Sequence, residues 1–340
     1  MKVIVTGGAG FIGSALIRYL INETNHEVLN IDKLTYAANL KSLDSISQSS
    51  RYRLIKEDIT ELDSISTIIQ EFKPDAIFHL AAESHVDNSI LNPIDFVKTN
   101  VLGTANLLHA STNLWKNLSE IDKENFRFLH ISTDEVFGDL GDEGSFTEDT
   151  PYNPSSPYSA SKAGSDHLVR AAFRTYGLPA IITNCSNNYG PYQHCEKLIP
   201  KVIQRIINGK KIPIYGSGLQ VRDWLYVEDH VQALYEVYKN GITGQTYNIG
   251  GNNEKTNIEV INMICELIDK NKKYQFNGKS SSNLIHYVED RPGHDRRYSI
   301  DASKIKNTLS WEPKTSFEAG IQETIEWYLN NTEILNENSI

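Results

Sequence analysis

The 340-residue sequence predicts an α/β protein, a Rossmann-like doubly wound parallel sheet with a smaller mixed α/β cap domain. Three observations lead there. Strand-like and helix-like segments alternate through the first half, as parallel βαβ units require. A glycine-rich turn follows the first strand-like run directly and opens a helical one. Past Cys185 the alternation gives way to a stretch rich in Asn, Gly, Tyr and Pro, which reads as the start of a second unit.

Lys2–Thr6 is a short β-branched run, and Phe11–Ile21 spaces its apolar residues for a helix. Glu27–Ile31 and Tyr52–Lys56 read as the next strands. Leu62–Phe72 is helical, and Ala76–Leu80 is an apolar run bounded by Pro74 and Ala81-Ala82. Pro93 opens a long helix to about Trp115, since proline suits a first turn. Phe126–Ser132 is a fifth strand. Tyr158–Tyr176 is a helix stopped by Gly177-Leu178-Pro179, and Ala180–Cys185 is a sixth strand. Residues 1–185, with return segments 221–250 and 300–329, are expected to build the sheet domain. Residues 186–220 plus 251–299 are expected to build the cap, with a helix at Ile199–Asn208 and a polar run at Asn277–Asn283. The last ten residues read as a frayed polar tail.

Composition narrows the class of function. Apolar residues make up 39% and charged residues 22%, which suits a folded globular chain. The net charge of −10 argues against broad binding to nucleic acid or anionic membranes, while leaving room for a small basic pocket. No apolar stretch is long enough to span a bilayer. Met1-Lys2 runs straight into Val3-Ile4-Val5 without the apolar core of a signal peptide. Cys185, Cys195 and Cys265 show no CxxC spacing, so a reducing, cytoplasmic setting is expected. No His/Cys cluster has metal-ligand spacing, and no metal is expected. His79, inside an apolar strand, reads as a buried, hydrogen-bonded core residue.

The run Thr6-Gly7-Gly8-Ala9-Gly10-Phe11-Ile12-Gly13 contains Gly8-x-Gly10-x-x-Gly13 between strand and helix. Glycines there permit a tight turn, bring backbone N–H groups to a pyrophosphate and let the helix approach the sheet. Asp32 ends the second strand, 19 residues beyond Gly13. A carboxylate at that point accepts hydrogen bonds from both ribose hydroxyls and repels a 2′-phosphate, favouring NAD over NADP. The neighbouring Lys33 leaves that preference open.

Two further motifs fall where such a sheet places its chemistry, at the carboxyl ends of strands. Ser132-Thr133-Asp134-Glu135 ends the fifth strand, and Tyr158-x-x-x-Lys162 begins the next helix. Residues four apart share a helical face, so the Lys162 ammonium can lie near the Tyr158 phenol and lower its pKa. A phenol so tuned can take a proton from a sugar hydroxyl while hydride leaves the same carbon.

With these motifs the sequence resembles the extended short-chain dehydrogenase/reductase family and, within it, the dTDP-glucose 4,6-dehydratases. The resemblance is carried by Leu80–Asp87, Ser132–Gly138, Asn187–Tyr192, Arg222–His230 and Asp290–Arg297, and it spans about residues 2 to 301. Phe137 departs from the family's usual tyrosine, which is expected to alter packing without loss of chemistry. The resemblance implies an NAD-dependent hydro-lyase that converts dTDP-glucose to its 4-keto-6-deoxy product. Oxidation at C4 acidifies the C5 proton, water leaves from C5–C6, and hydride returns to C6.

The same resemblance distributes roles. Glu135 is implied as the base at C5, Asp134 as the acid at C6, and Thr133 as the hydrogen-bond partner of the C4 oxygen. Asp134 must then hold a proton near neutral pH, which burial and an adjacent carboxylate would favour. For the cofactor, Gly7, Gly10, Phe11, Ile12 and Gly13 are implied at the pyrophosphate. Asp32, Lys33, Leu34 and Thr35 are implied at the adenosine ribose, and Asp58 and Ile59 at the adenine. Leu80, Ala82, Ser84 and Thr99 would lie along it, with Tyr158, Lys162 and Asn188 at the nicotinamide end. For the substrate, Arg222 and Asn257 are implied at the phosphates. Ser84, Thr133, Asn187, Lys197 and Leu198 would line the site. Pro213, Ile214 and Tyr215 would pack on the thymine, and Asp290, Arg291 and His294 would close over the nucleotide. His85 follows Ser84 and would help position substrate.

Related proteins also imply a homodimer in which the helices at 93–115 and 158–176 pair with their copies. Apolar spacing on those helices fits core packing equally well. Two other readings stay open at this point. One is another extended short-chain enzyme on a nucleotide sugar, a 4-epimerase or a UDP-sugar dehydratase, against which the acid pair argues. The other is a non-catalytic NAD-binding sensor, which would have no need of Tyr158, Lys162 and both acids.

Overall fold

A computed structural model describes residues 1–270 and 279–335. The chain first lays down β1 (Lys2–Thr6), α1 (Phe11–Glu23), β2 (Glu27–Asp32), β3 (Tyr52–Lys56), α2 (Leu62–Phe72) and β4 (Ala76–His79). Then come α3 (Val86–Leu91), α4 (Pro93–Phe96), α5 (Thr104–Lys116), α6 (Glu120–Asn125), β5 (Arg127–Thr133), α7 (Pro157–Tyr176) and β6 (Ala180–Cys185). The second half holds β7 (Asn187–Tyr189), α8 (Leu198–Ile207), β8 (Ile212–Tyr215), β9 (Val221–Tyr226), α9 (Val227–Asn240) and β10 (Thr246–Ile249). It ends with β11 (Glu254–Thr256), α10 (Asn257–Asp269), β12 (Ile285–Val288), α11 (Ser303–Leu309) and α12 (Phe317–Asn330).

Seven parallel strands form the main sheet in the order β10-β6-β5-β4-β1-β2-β3. The strands read as unbroken apolar runs because helices cover both faces. On one face α1, α9 and α11 bury Leu16, Leu20, Val231, Leu234 and Ile305. On the other α2, α5 and α7 bury Ile65, Ile69, Leu107 and Val169. The chain runs outward from β1 to β3 and returns to β4 on the other side of β1. The crevice at their carboxyl ends is therefore the topological switch point, where such sheets bind ligands.

A second core gathers α8, α10 and α12 around Ile203, Ile206, Ile261, Ile264, Ile321 and Tyr328. It is edged by a three-stranded sheet, β11-β9-β7, and a two-stranded sheet, β12-β8. Within the expected return segments, β9 joins the three-stranded sheet, whereas α9 and β10 pack with the main sheet. Likewise Ala302, Ile305 and Trp311 enter the first core, whereas Phe317, Ile321 and Ile325 enter the second. We propose a division that follows the cores, with β9 and α12 in the smaller unit.

Other differences have local causes. The helix expected from Pro93 is three pieces, because Val97–Gly103 winds wider than an α-helix. In that stretch Asn100 turns inward and bonds the Glu83 backbone N–H (2.9 Å), the Glu83 carbonyl (3.0 Å) and Ser161 Oγ (2.8 Å). The expected frayed tail is ordered through Leu335, which is buried in the second core and whose carbonyl accepts from Gln204 Nε2. Residues 336–340, and the start of the polar run at 277–278, lie outside the described residues. Among the described residues no helix is long and apolar enough to cross a membrane, and no group of three or more His, Cys, Asp or Glu could hold a metal.

Candidate active site

At the switch point a cavity of about 320 Å³ runs from the glycine turn to the mouth of the smaller unit. Gly7 takes φ +70°, a left-handed conformation that favours glycine. A Cβ on Gly13 would fall 2.2 Å from the Gly7 carbonyl oxygen, so only glycine lets α1 dock this closely on the turn. Gly10, Phe11 and Ile12 line the cavity beside them. Asp32 sits at the end of β2, its Oδ2 accepting from the Ala9 N–H and its Oδ1 from the Leu34 N–H, both at 2.8 Å. Burial raises its pKa, while those two bonds pull it back. Lys33 is spoken for by Asp58 at 2.7 Å. Thr35, Ile59, Leu80, Ala82, Ser84, Thr99 and Asn188 also line the cavity, whereas Leu34 lies outside its walls and donates its N–H to Asp32.

The far end collects Thr133, Asp134, Glu135, Tyr158, Lys162 and Asn187. β5 delivers the first three at its carboxyl end. α7 delivers the next two from its first turns, started by Pro157 and a Ser156/Ser159 capping box. Asp134 is buried, and its Oδ1 accepts from Thr133 Oγ1 at 3.3 Å. Its Oδ2 and the Asn187 Oδ1 have no partner among the described residues. Burial first, then the Glu135 and Asp223 charges, push the Asp134 carboxyl well above the ordinary range. Burial raises Glu135 as well, against the pull of Arg291, Arg222 and Lys197.

Tyr158 and Lys162 share the cavity, but their expected electrostatics differ. Burial, then Glu135, holds the phenol well above its usual pKa, with the Thr133 hydroxyl bond pulling the other way. The Lys162 Nζ donates to the Ile131 carbonyl at 2.8 Å, so its charge is not committed to the phenol. Desolvation outweighs the expected lowering, because both groups are enclosed by β5, β6 and the loop after β5.

The implied substrate residues divide into two sets. Ser84, Thr133, Asn187 and Lys197 line the cavity, and Lys197 Nζ donates to the Ser84 carbonyl at 3.1 Å. Leu198, Pro213, Ile214, Tyr215, Arg222, Asn257, Asp290, Arg291 and His294 lie outside its walls, in the smaller unit and the segment after β12. They still meet one another. Tyr215 Oη and Arg291 Nη1 approach the two Asp87 oxygens at 3.4 and 3.5 Å, and His294 Nδ1 lies 2.6 Å from Asp290. Arg222 is buried over the Tyr298 ring at 4.2 Å and donates to the Asp295 carbonyl at 3.0 Å. Asn257 opens α10, its N–H bonded to the Gln220 carbonyl. Phe137 stacks on Phe146 at 5.1 Å, away from the cavity walls.

Sequence reasoning missed Glu83, Gln193, His194 and Glu196, which also line the cavity. Glu196 sits within 3.6 Å of His85, 3.7 Å of His194 and 3.8 Å of Lys197. Their only signal was position, next to Ser84 and Lys197 in sequence. His79 is a buried core residue, its two ring nitrogens each 2.8 Å from a threonine hydroxyl, Thr6 and Thr104.

The left-handed turn, the acid ending β2 and the Tyr/Lys pair at the switch point fit a dinucleotide lying along the cavity. Fold and cavity together define the class, an extended short-chain dehydrogenase/reductase with two added carboxyl groups at its reacting end. The model of the GDP-mannose 4,6 dehydratase family matches residues 4–324. The dTDP-glucose 4,6-dehydratase of Escherichia coli is 58% identical, covering 98% of this chain and 95% of that protein. The Bacillus anthracis dTDP-glucose 4,6-dehydratase in complex with NAD is 45% identical, with a TM-score of 0.86 and 98% of each chain covered. The Streptomyces venezuelae dTDP-glucose 4,6-dehydratase with NAD and TYD bound is 40% identical, with a TM-score of 0.90 and again 98% of each chain covered. The chain belongs to the GDP-mannose 4,6 dehydratase family, in which these relatives are dTDP-glucose 4,6-dehydratases.

Proposed function

We propose that the protein is an NAD-dependent hydro-lyase, a dTDP-glucose 4,6-dehydratase. One observation carries the reading: a buried Asp134, its carboxyl pushed well above the ordinary range, beside Glu135 in the cavity that Thr133 and Tyr158 also line. An epimerase has no use for that pair, because it exchanges hydride at C4 alone. When bound, NAD accepts hydride from C4 and gives it back at C6. Tyr158, as its phenolate, takes the O4 proton, with the Thr133 hydroxyl holding the C4 oxygen in line. The ketone formed at C4 makes the C5 proton acidic, and Glu135 removes it. Asp134 gives its proton to the C6 oxygen, which leaves as water. A proton then returns to C5, and the O4 proton ultimately restores Asp134, so the sum is loss of one water.

In this reading Asp32 accepts both ribose hydroxyls through its free lone pairs. Lys33, already paired with Asp58, does not call for a 2′-phosphate. Phe11, Ile12 and the glycines meet the pyrophosphate, and Lys162 holds the nicotinamide ribose. Asn187 and Lys197 take the sugar, Arg222 and Asn257 the diphosphate, and Tyr215 stacks on the thymine. Asp290–His294 closes over the nucleotide. The assembly we propose is a homodimer. Ile90, Leu91, Ile94, Val97 and Leu102 stand exposed along one stretch beside α7, an apolar face suited to a second copy. A cytoplasmic location suits a chain whose three cysteines form no disulfide with one another.

The test is incubation with dTDP-glucose in D₂O without added reductant, followed by mass spectrometry and NMR. Loss of one water, a C4 ketone and deuterium at C5 is the expected result. Unchanged dTDP-glucose, from protein carrying NAD, would overturn the reading.

A further inference from the structure

We propose that Asp166 is a positioning residue: its buried carboxylate favours the charged form of Lys162 and ties down the end of β5 that carries Thr133, Asp134 and Glu135. The inference rests on reading the cavity as the dehydratase site. Tyr158, Lys162, Asp166 and Arg170 recur at four-residue steps on α7 and so form one stripe along that helix. Asp166 is fully buried and takes no part in the chemistry above.

Asp166 Oδ2 accepts from Ser132 Oγ at 2.9 Å and from the Tyr152 hydroxyl at 2.8 Å, and His130 Nε2 lies 3.0 Å from Oδ1. Burial alone would raise its pKa. The close approach of His130, through hydrogen bonding first and charge second, then the Lys162 charge and the Tyr152 hydroxyl outweigh burial and bring it below the ordinary carboxylate value. A buried negative charge needs a cation nearby. His130 is not that cation, because burial pushes its pKa to about 4 and leaves it a neutral N–H donor. Burial also keeps His79, whose ring lies 5.1 Å from that of His130, neutral. Arg170 is turned to Tyr152, stacked over the ring at 4.7 Å and donating to its hydroxyl at 2.9 Å.

Lys162 remains, one helical turn from Asp166. Among the described residues its hydrogen-bond acceptor is the neutral Ile131 carbonyl, which cannot balance its charge. Burial works against the ammonium form, and Asp166 first, then the Cys185 thiol, works for it. The titratable groups around the pair are thus His79 on β4, His130 on β5, Cys185 on β6, and Asp134 and Glu135 just past β5. Tyr152 precedes α7, and Tyr158 and Arg170 lie on it. Of these, Asp166 meets the strand bearing both acids at Ser132 and His130, flanking the Ile131 carbonyl that takes the Lys162 Nζ.

The test is competitive acylation of Lys162 with trace acetic anhydride across pH, read by mass spectrometry in wild type, Asp166→Asn and Asp166→Glu. Kinetics on dTDP-glucose run beside it. Loss of the carboxylate is expected to lower the labelling midpoint by about one pH unit or more. It is also expected to cut kcat about tenfold, with KM held within about twofold. Asp166→Glu should keep the wild-type midpoint, which a packing role would not predict. Coincident midpoints in wild type and Asp166→Asn overturn the proposal, even if kcat falls. If Asp166→Asn does not fold, the smaller neutral Asp166→Ser is read in the same way. Labelling does not require turnover. Wild type that leaves dTDP-glucose unchanged therefore overturns the dehydratase reading, while the midpoints still decide the charge pair.

Discussion

At the residue scale, Asp134 and Glu135 are neighbours with opposite duties, and burial together with nearby charge separates them. Asp134 is shut in with Glu135 and Asp223 as like-charged neighbours, which favours its acid form. Glu135 faces three cations that draw against its burial and favour the base form. Asp134→Asn should lower kcat by about 10²–10⁴-fold, with KM little changed. Because C4 oxidation survives in that variant, the absorbance of reduced cofactor should accumulate on mixing with dTDP-glucose. The pH dependence follows from the same two groups. Activity is lost on the acid side as Glu135 takes up a proton and on the alkaline side as Asp134 gives one up. Asp134→Asn should therefore lack the alkaline limb, and a variant profile that overlays wild type would remove the acid role. Stability carries its own sign. A carboxyl raised in the folded state destabilises the fold progressively as pH rises from its unfolded value through its folded one. Asp134→Asn should thus melt a few degrees above wild type on the alkaline side and converge with it in acid.

At the scale of elements, the glycine turn and α1 act as one unit. Gly13→Ala would drive a Cβ into the Gly7 carbonyl, where neither backbone can retreat without moving α1 off the sheet. The expected cost is about 1–3 kcal/mol, measured by denaturant unfolding, with NAD lost on gel filtration. The wider turn at Val97–Gly103 has a comparable role on the other wall. It aims Asn100 at both backbone groups of Glu83 and so fixes the loop that presents Ala82 and Ser84 to the cavity. Asn100→Ala should leave those groups unpaired and cost about 1–3 kcal/mol, with KM for dTDP-glucose rising more than kcat falls.

At the scale of the whole molecule, the apolar face beside α7 looks outward. Leu91 is 75% exposed and Ile94 is 63% exposed, which is unusual for large aliphatic side chains grouped on one surface. The double change Leu91→Glu/Ile94→Glu should turn a dimer into a monomer by light scattering, while the melting of the isolated fold shifts little. A wild type that is already monomeric would remove the homodimer from the account.

The sequence by itself determined whatever short-range spacing dictates. The glycine turn, Asp32 after its strand, Tyr158 with Lys162 one turn later, and the acids after β5 are local patterns, each set by helical or strand periodicity. The alternation of strands and helices determined the sheet and its ligand-binding edge in the same way. Tertiary structure decided what depends on enclosure and on distant partners. Glu83, Gln193, His194 and Glu196 reach the cavity because the loops after β4 and β7 fold over it. α12 joins the second core, and β9 splits its side chains, Leu225 to the first core and Trp224 and Tyr226 to the second. The tail end at Leu335 is held by a helix more than a hundred residues away. Tertiary structure also decided the charges. Spacing brings Lys162 to the Tyr158 side of the helix, but desolvation sets both pKa values, and a buried carboxylate one turn further on balances the lysine. Periodicity acts within one element and is written in consecutive residues, whereas burial and Coulomb interactions depend on every element packed around a group.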